Sequence, residues 1–379
     1  MPLEIVPLTG MGEVRPGDDL AAMIVAAGPW LRAGDVLVVT SKVVSKAEGR
    51  LVDAPAAGPA RDAAREAAIT AETARLVARR GPTRIVQTHH GFVMAAAGVD
   101  ASNVAPDKLV LLPKDPDAAA RGLRAALRDR FGLRVAVIVS DTMGRTWRVG
   151  LTDVALGAAG LPPVRDHRGE VDPYGNELQL TQMAIVDEMA GAAELVKGKH
   201  DGVPVAVVRG YPGLTGGEPD GPGVAALIRD PAEDLFSLGT AEARAEGLRA
   251  AATLPATRLT DAPPADTAPA DTPPVDPAAI AAALATVRAV TAPGTRLVPV
   301  AEPAVRARLA PGLPPTGALI AAHLDGPTAD TTALLLLGAD LHRLRAALAA
   351  QGLASTILPA PAGDPGAPLA LVAAAAPRR

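Results

Sequence analysis

Cysteine is absent from the 379-residue chain, which excludes disulfides, thiolate metal centres and cysteine nucleophiles together. Aromatic residues make up only 2% of it. Neither sign of charge dominates: the net charge is −4 and the pI about 5.9, which gives no support for bulk binding to nucleic acid or to an anionic membrane. No apolar run free of Gly, Pro and charge reaches the roughly 18–20 residues a membrane span needs. The opening MPLEIVPLTG lacks the basic segment followed by an apolar core that marks a signal peptide. A soluble, cytoplasmic protein is the expectation. Lysine is also rare. There are six, the last at Lys199, in a chain that otherwise favours arginine, so each retained lysine is informative.

Hydrophobic residues at 49% and charged residues at 21% describe a globular protein, and the length favours two domains. Short strands are predicted at Leu3 to Leu8 and Val36 to Val39, with a helix near Leu20 to Ala27 capped by Asp18 or Asp19. A charged amphipathic helix is predicted from Arg61 to Arg80, ended by Gly81-Pro82. A strand pair follows at Arg84 to Gln87 and Phe92 to Ala96, then a short strand at Leu109 to Leu112 and a helix from Pro116 to Phe131. Leu133 to Ser140 is the clearest buried strand. A long helix is expected from Leu180 to Val196, and a strand from Val203 to Val208. Residues 251–277, dominated by Pro, Ala, Asp and Thr, read as an extended linker between a domain over 1–250 and a smaller one over 278–379. The helix-like Leu334 to Ala350 gives the second domain an aliphatic core.

Chemistry-bearing residues collect after the strands. In VVTSKVVSKAEG, Ser41 offers a hydroxyl, and Lys42 and Lys46 offer mobile point charges suited to phosphate oxygens; the alternative is two solvated lysines on a turn. Gly10 and Gly12 in LTGMGEVRPGDD permit close backbone approach to a ligand, yet the segment is neither a Walker A loop nor a GxGxxG fingerprint, and it also reads as an ordinary loop. VAVIVSDTMGRTWRVG carries the strongest signal. A buried strand ending at Ser140 delivers Asp141 and Thr142 to its C-terminal edge, where open α/β sheets bind ligands. A carboxylate there is a hard ligand for Mg²⁺ or Mn²⁺ and the threonine hydroxyl can add another, with Arg145 and Arg148 alongside. Asp100 and Asn103 stand three apart and read either as a metal carboxylate with a nucleotide-contacting amide or as a capped turn. Of the neighbouring His89 and His90, at most one is expected to line a cleft. Asp187 and Glu194, seven apart, share a helical face; the basic turn Lys197 to His200 follows.

Together these segments resemble the coenzyme F420 γ-glutamyl ligases over residues 3–245, through SKAEGR, HHGF, SDTMGR and GVPVAVVRG in that order. The resemblance implies a mixed α/β (α+β) fold particular to that family, followed here by a small α/β remnant. It implies GTP-dependent addition of L-glutamate to the precursor of the deazaflavin cofactor, first by an amide and then by γ-glutamyl links. Divalent ions (Mg²⁺ or Mn²⁺), K⁺ and a homodimer come with it. By position, Leu8, Thr9, Gly10, Met11, Ser41, Lys46 and Asn103 match GTP-contacting groups, as does the turn Lys197, Gly198, Lys199, His200, Asp201, Gly202, Val203, Pro204. Asp100 and Asp141 match metal carboxylates, and Thr142 a ligand of a second metal. Lys199 departs from the pattern, standing where some members carry a Gln or Glu ligand; a protonated lysine cannot ligate a cation.

The mechanism expected from this resemblance is carboxylate activation by GTP to an acyl phosphate, followed by attack of the glutamate amine. Lys46 and Arg145 are the candidates to assist catalysis through their charge. Near the C-terminus, LLLLGADLHRLRAALAAQGLASTIL resembles the end of a flavin-binding, nitroreductase-like domain. Residues 278–379 are shorter than such a domain requires and lack Phe, Trp and Tyr, so a shortened remnant without FMN is expected. Two other readings stand beside the ligase: a non-catalytic cofactor binder or regulator on the same fold, and another nucleotide-dependent acyl ligase.

Overall fold

The structure is a computed structural model that describes residues 2–252, 254, 274–325, 330–361 and 367–375. The chain divides into two compact units, Met1–Ala241 and Glu242–Arg379. The predicted linker over 251–277 lies mostly outside the described residues; of its ends, 251 and 252 close one helix and 277 opens another. Among the described residues no helix is long and apolar enough to cross a membrane.

The first unit runs β1 (Glu4–Leu8), α1 (Leu20–Ala27), β2 (Val36–Thr40), α2 (Ser41–Ala47), β3 (Leu51–Asp53), α3 (Pro59–Ala71), β4 (Thr73–Arg80), β5 (Thr83–Thr88), β6 (Val93–Ala95) and β7 (Lys108–Val110). It continues with α4 (Pro116–Phe131), β8 (Ala136–Gly144), β9 (Leu151–Ala159), β10 (Arg165–Asp166), β11 (Gln182–Met183), α5 (Ile185–Lys197) and β12 (Val205–Arg209). Its main sheet has the order β1-β12-β2-β8-β9, and only β2 and β8 run parallel.

Both faces of this sheet are covered, which explains why β2 and β8 read as unbroken apolar runs rather than alternating ones. Side chains alternate across a strand. Leu37, Val39, Val137, Val139, Val205 and Val207 therefore pack on one side against Ala21 and Ile24 of α1 and Ala120 and Leu127 of α4. Val36, Val38, Ile138 and Ala206 pack on the other against Val186, Met189 and Ala193 of α5. Helix α4 has strong local stop signals. Asp115 caps it by accepting from the Ala118 N–H at 2.9 Å, Pro116 opens it, and left-handed Gly132 closes it. Its first turn lies so close to β9 that a Cβ on Gly157 would come within 2.1 Å of the Pro116 carbonyl oxygen.

Four sequence expectations change. The helix predicted to reach Arg80 stops at Ala71, and Thr73–Arg80 becomes β4, hydrogen-bonded to β5. The strand predicted to end at Ser140 loses its parallel partner there, at Thr40↔Ser140, but β8 continues to Gly144 by pairing with β9 beyond an irregularity at Val139/Ser140. It also begins at Ala136 rather than Leu133. Helix α5 begins at Ile185 rather than Leu180.

In the second unit, α7 (Pro277–Arg288), α8 (Pro303–Leu309) and α9 (Thr331–Ala350) accompany an antiparallel sheet. Its strands are β13 (Thr295–Pro299), β14 (Ala318–Leu324), β15 (Ala354–Pro359) and β16 (Ala370–Ala375), in the order β13-β14-β16-β15. Helix α6 (Thr240–Ala252), which has no buried residue, lies at the division between the units. Leu341, Leu344 and Leu348 of α9 pack with Ile280 and Leu284 of α7 against Ile320 and Val372, a core separate from that of the first unit.

Candidate active site

The register of the five-stranded sheet gathers the predicted site residues at one end. Leu8, the last residue of β1, faces Val205, the first of β12, which faces Val39 near the end of β2; Thr40 in turn faces Ser140. Three segments meet the sheet at that edge, Thr9–Gly10–Met11, the α2 start at Ser41 and the turn from Gly198 to Pro204, while Asp141–Thr142 runs on past it within β8, still paired to β9. The Thr40 N–H donates to the Pro204 carbonyl at 2.9 Å, joining two of them directly. Leu8 itself is fully buried, backbone included, so a ligand at this edge would meet the exposed Thr9 and Gly10 instead.

Asp100 reaches this edge from outside the sheet. Its backbone bridges Val110, and its carboxylate accepts from Lys42 Nζ at 2.7 Å and from the Ser102 hydroxyl and N–H at 2.8 Å each. Burial raises the pKa of this carboxyl, but Lys42 and the Ser102 groups outweigh burial and hold it below the usual range. Among the described residues Asp141 has no ion-pair partner. Burial pushes it up to about 6, and the neighbouring charges of Asp153 and Asp100 add to the rise; the Thr142 N–H and the Lys42 charge work in the opposite direction. Asp100 and Asp141 are thus close enough to feel one another electrostatically.

A second cluster lies beside Asp141 and is built around Asp153, which faces Thr142 across the β8–β9 pair. One Asp153 oxygen accepts from the Thr142 hydroxyl at 2.7 Å; the other accepts from the Ser140 hydroxyl at 2.9 Å and Lys197 Nζ at 2.7 Å. Lys197 also donates to Ser140 Oγ at 2.9 Å and lies 3.4 Å from Glu194. Both Asp153 and Lys197 are buried. Burial alone would raise the Asp153 pKa, but the Lys197 charge and hydrogen bond bring it below normal. Lys199 donates to Thr142 Oγ1 at 2.7 Å and pairs with Glu194.

Other predicted residues fall around this edge. Ser41 and Lys46 are buried on α2, with Lys46 paired to Glu13 of the glycine-containing loop. Asn103 is exposed with φ of 54°, a left-handed conformation that asparagine tolerates. Arg145 is exposed where β8 turns towards β9. Gly198 ends α5 with φ of 60°, and a Cβ there would lie 2.4 Å from an Asp201 carboxylate oxygen, so the turn that carries Lys199 requires glycine. His200, Asp201 and Gly202 are exposed, while Val203 and Pro204 are partly covered. Lys197, expected on an open basic turn, instead points inward to Asp153.

Asp187 stands apart from the cluster despite sharing a helix with Glu194. It accepts from the Ala155 N–H at 2.9 Å, and burial raises its pKa. His89 contacts the Ala71 carbonyl, and His90 lines a separate cavity of about 260 Å³ with Phe92, Lys114 and Asp117. Sequence reasoning missed Asp153 as the hub, and gave no partner for Lys42.

Among the described residues no group of three or more His, Asp or Glu side chains converges on one point. The two carboxylates of Asp100 and Asp141, one of them lacking a counter-charge, nevertheless suit a hard cation that takes its remaining ligands from water and phosphate, as Mg²⁺ commonly does.

The family described as F420-0:Gamma-glutamyl ligase matches residues 10–210. A coenzyme F420:L-glutamate ligase of Methanopyrus kandleri is 44% identical over 248 residues, which is 62% of this chain and 97% of that protein. Proteins of the same name from Methanothermobacter thermautotrophicus and Haloarcula marismortui are 39% and 40% identical, over 99% and 95% of their lengths and 62% of this chain in each case. The chain belongs to the F420-0:Gamma-glutamyl ligase family.

Proposed function

We propose that the first unit is a GTP-dependent ligase that attaches L-glutamate to the coenzyme F420 precursor, first by an amide bond and then by γ-glutamyl links. The observation that carries this reading is the unneutralised Asp141 beside Asp100, at the same sheet edge as Ser41, Lys46 and the Thr9–Met11 loop. A triphosphate needs that combination of a cation-holding carboxylate pair, positive charge and exposed backbone.

An oxygen of the precursor's terminal carboxylate attacks the γ-phosphorus, and the bond from that phosphorus to the departing GDP oxygen breaks. The acyl phosphate then accepts the glutamate nitrogen at its carbonyl carbon, and inorganic phosphate leaves. Asp100 and Asp141 would hold a divalent ion, magnesium or manganese, and the chemistry it would supply there is charge neutralisation on the phosphate oxygens. Lys42 fixes the Asp100 carboxylate, Lys46 offers an ammonium at the end of α2, and Arg145 supplies further positive charge from the β8–β9 turn. A protein nucleophile has no part in this chemistry. The same reading includes a homodimer; Trp147, Val149 and Leu151 are exposed apolar side chains that such an association would cover.

Incubation with GTP, Mn²⁺, L-glutamate and the precursor should produce species heavier by successive glutamate units, read by mass spectrometry, together with GDP and phosphate. Glutamylation that proceeds equally well without any nucleotide would refute the acyl-phosphate route. Tight binding of the precursor with no turnover would favour a non-catalytic binder.

A further inference from the structure

Three oxygen-bearing side chains converge on the Lys199 ammonium. Its Nζ is 2.7 Å from Thr142 Oγ1, bonds a Glu194 carboxylate oxygen, and lies 4.0 Å from an Asp153 oxygen. A hydroxyl and two carboxylates are the donor chemistry of a hard cation site. Here their capacity is already taken. The Thr142 hydroxyl gives its proton to Asp153 and receives the Lys199 N–H. Asp153 also accepts from Ser140 and Lys197, and Glu194 is shared between the two lysines. A Mg²⁺ ion bonded to Thr142 Oγ1 would need an oxygen distance of about 2.0–2.1 Å, inside the space the ammonium fills.

Charge gives the same answer. Around the edge, the four carboxylates Asp100, Asp141, Asp153 and Glu194 meet the three ammonium groups Lys42, Lys197 and Lys199. Among the described residues Asp141 is the one of these four carboxylates with no ion pair, so the charge balance calls for a cation at the Asp100–Asp141 side and not at Thr142. Lys199 is also 57% exposed at its side chain, and two of its three N–H groups are committed, which leaves one for an anionic oxygen in the cleft.

We infer that Lys199 is a tethered cation: its ammonium occupies the Thr142–Glu194–Asp153 oxygen site in place of a second metal ion, so that the free protein binds one divalent ion instead of two. This rests on the metal-dependent reading above. It assigns Lys199 a positioning role, holding Thr142 and Glu194 in the arrangement an ion would impose while remaining a donor to substrate phosphate.

The test is a Mn²⁺ titration of the full chain without nucleotide, followed by electron paramagnetic resonance and calorimetry. One ion per chain is expected in the wild type and in Lys199→Arg. Lys199→Gln and Lys199→Glu remove the ammonium and leave the oxygen cluster open, so each should bind two. Adding Asp141→Asn to Lys199→Gln should remove the first ion and leave the second. Circular dichroism and thermal unfolding of each variant verify folding. Two ions in the wild type, or one in both Lys199→Gln and Lys199→Glu, would overturn the tethered-cation inference while leaving the ligase reading intact. No ion in the wild type, with Lys199→Gln also empty, would overturn the metal reading on which it depends.

Discussion

At the scale of single residues, the site depends on one carboxylate that has no ion pair among the described residues and one with too many partners to be spared. Asp141 has a folded-state pKa of about 6 against an ordinary 3.8. The folded protein therefore binds this proton more tightly than the unfolded chain does, and stability from this group falls as pH rises from about 4 to about 6, by roughly 3 kcal/mol in the absence of metal. Asp141→Asn should remove that penalty. At pH 8 the variant is expected to melt higher than the metal-free wild type, to gain nothing from Mn²⁺, and to lose glutamylation. A wild type whose melting temperature is indifferent to Mn²⁺ would contradict the assignment. Asp153 behaves in the opposite way. Replacing it with Asn leaves the Lys197 charge buried without its main counter-ion, a change that typically costs about 3–5 kcal/mol. Urea unfolding should record that loss, and Lys197→Met in the same chain should recover part of it. Asp100, Asp141, Ser41 and Lys46 were legible in the sequence because each follows a recognisable strand or apolar stretch. Asp153 was not. Its segment GLTDVALGAAG reads as an apolar strand with one acid, and the lysine that explains it is 44 residues further on.

At the scale of elements, boundaries set by neighbouring residues were readable and boundaries set by partners were not. Helix α4 matches its predicted ends because Asp115, Pro116 and Gly132 carry the stop signals locally. The predicted helix through Arg80 failed because the charged pattern of Arg61 to Ala71 continues in composition past Thr73, while pairing with β5 decides the backbone there. The extension of β8 to Gly144 likewise depends on β9. Close packing between elements makes a further prediction. In Gly157→Ala the new methyl meets the Pro116 carbonyl, a backbone atom that cannot rotate away. The variant should lose about 1–3 kcal/mol as α4 is forced off β9, measured by chemical denaturation. A neutral effect would mean that the helix start yields easily.

At the scale of the whole molecule, two units with separate aliphatic cores share one chain. The archaeal relatives align over 95–99% of their own lengths with only 62% of this chain, so nothing like the second unit is needed for their fold. A chain ended after Ala252 is accordingly expected to unfold cooperatively and to glutamylate the precursor at a rate near that of the full chain; loss of activity in a folded truncation would give the second unit a part in the ligase reaction. The exposed Val149 offers a check on association: Val149→Glu should shift a dimer towards monomer in light scattering. By itself, the sequence determined several strands and helices of the first unit, among them β1, α1, β2 and α4, the absence of thiol chemistry, and the identities of the acids and lysines that follow the strands, because these depend on composition, local caps and short-range periodicity. Tertiary structure alone decided that Leu8, Thr40, Ser140 and Val205 end at one edge, that Lys197 turns inward, and that Lys199 rests among Thr142, Glu194 and Asp153. Strand register and long-range ion pairs bring together residues far apart along the chain, and no local pattern encodes which acid will find which lysine.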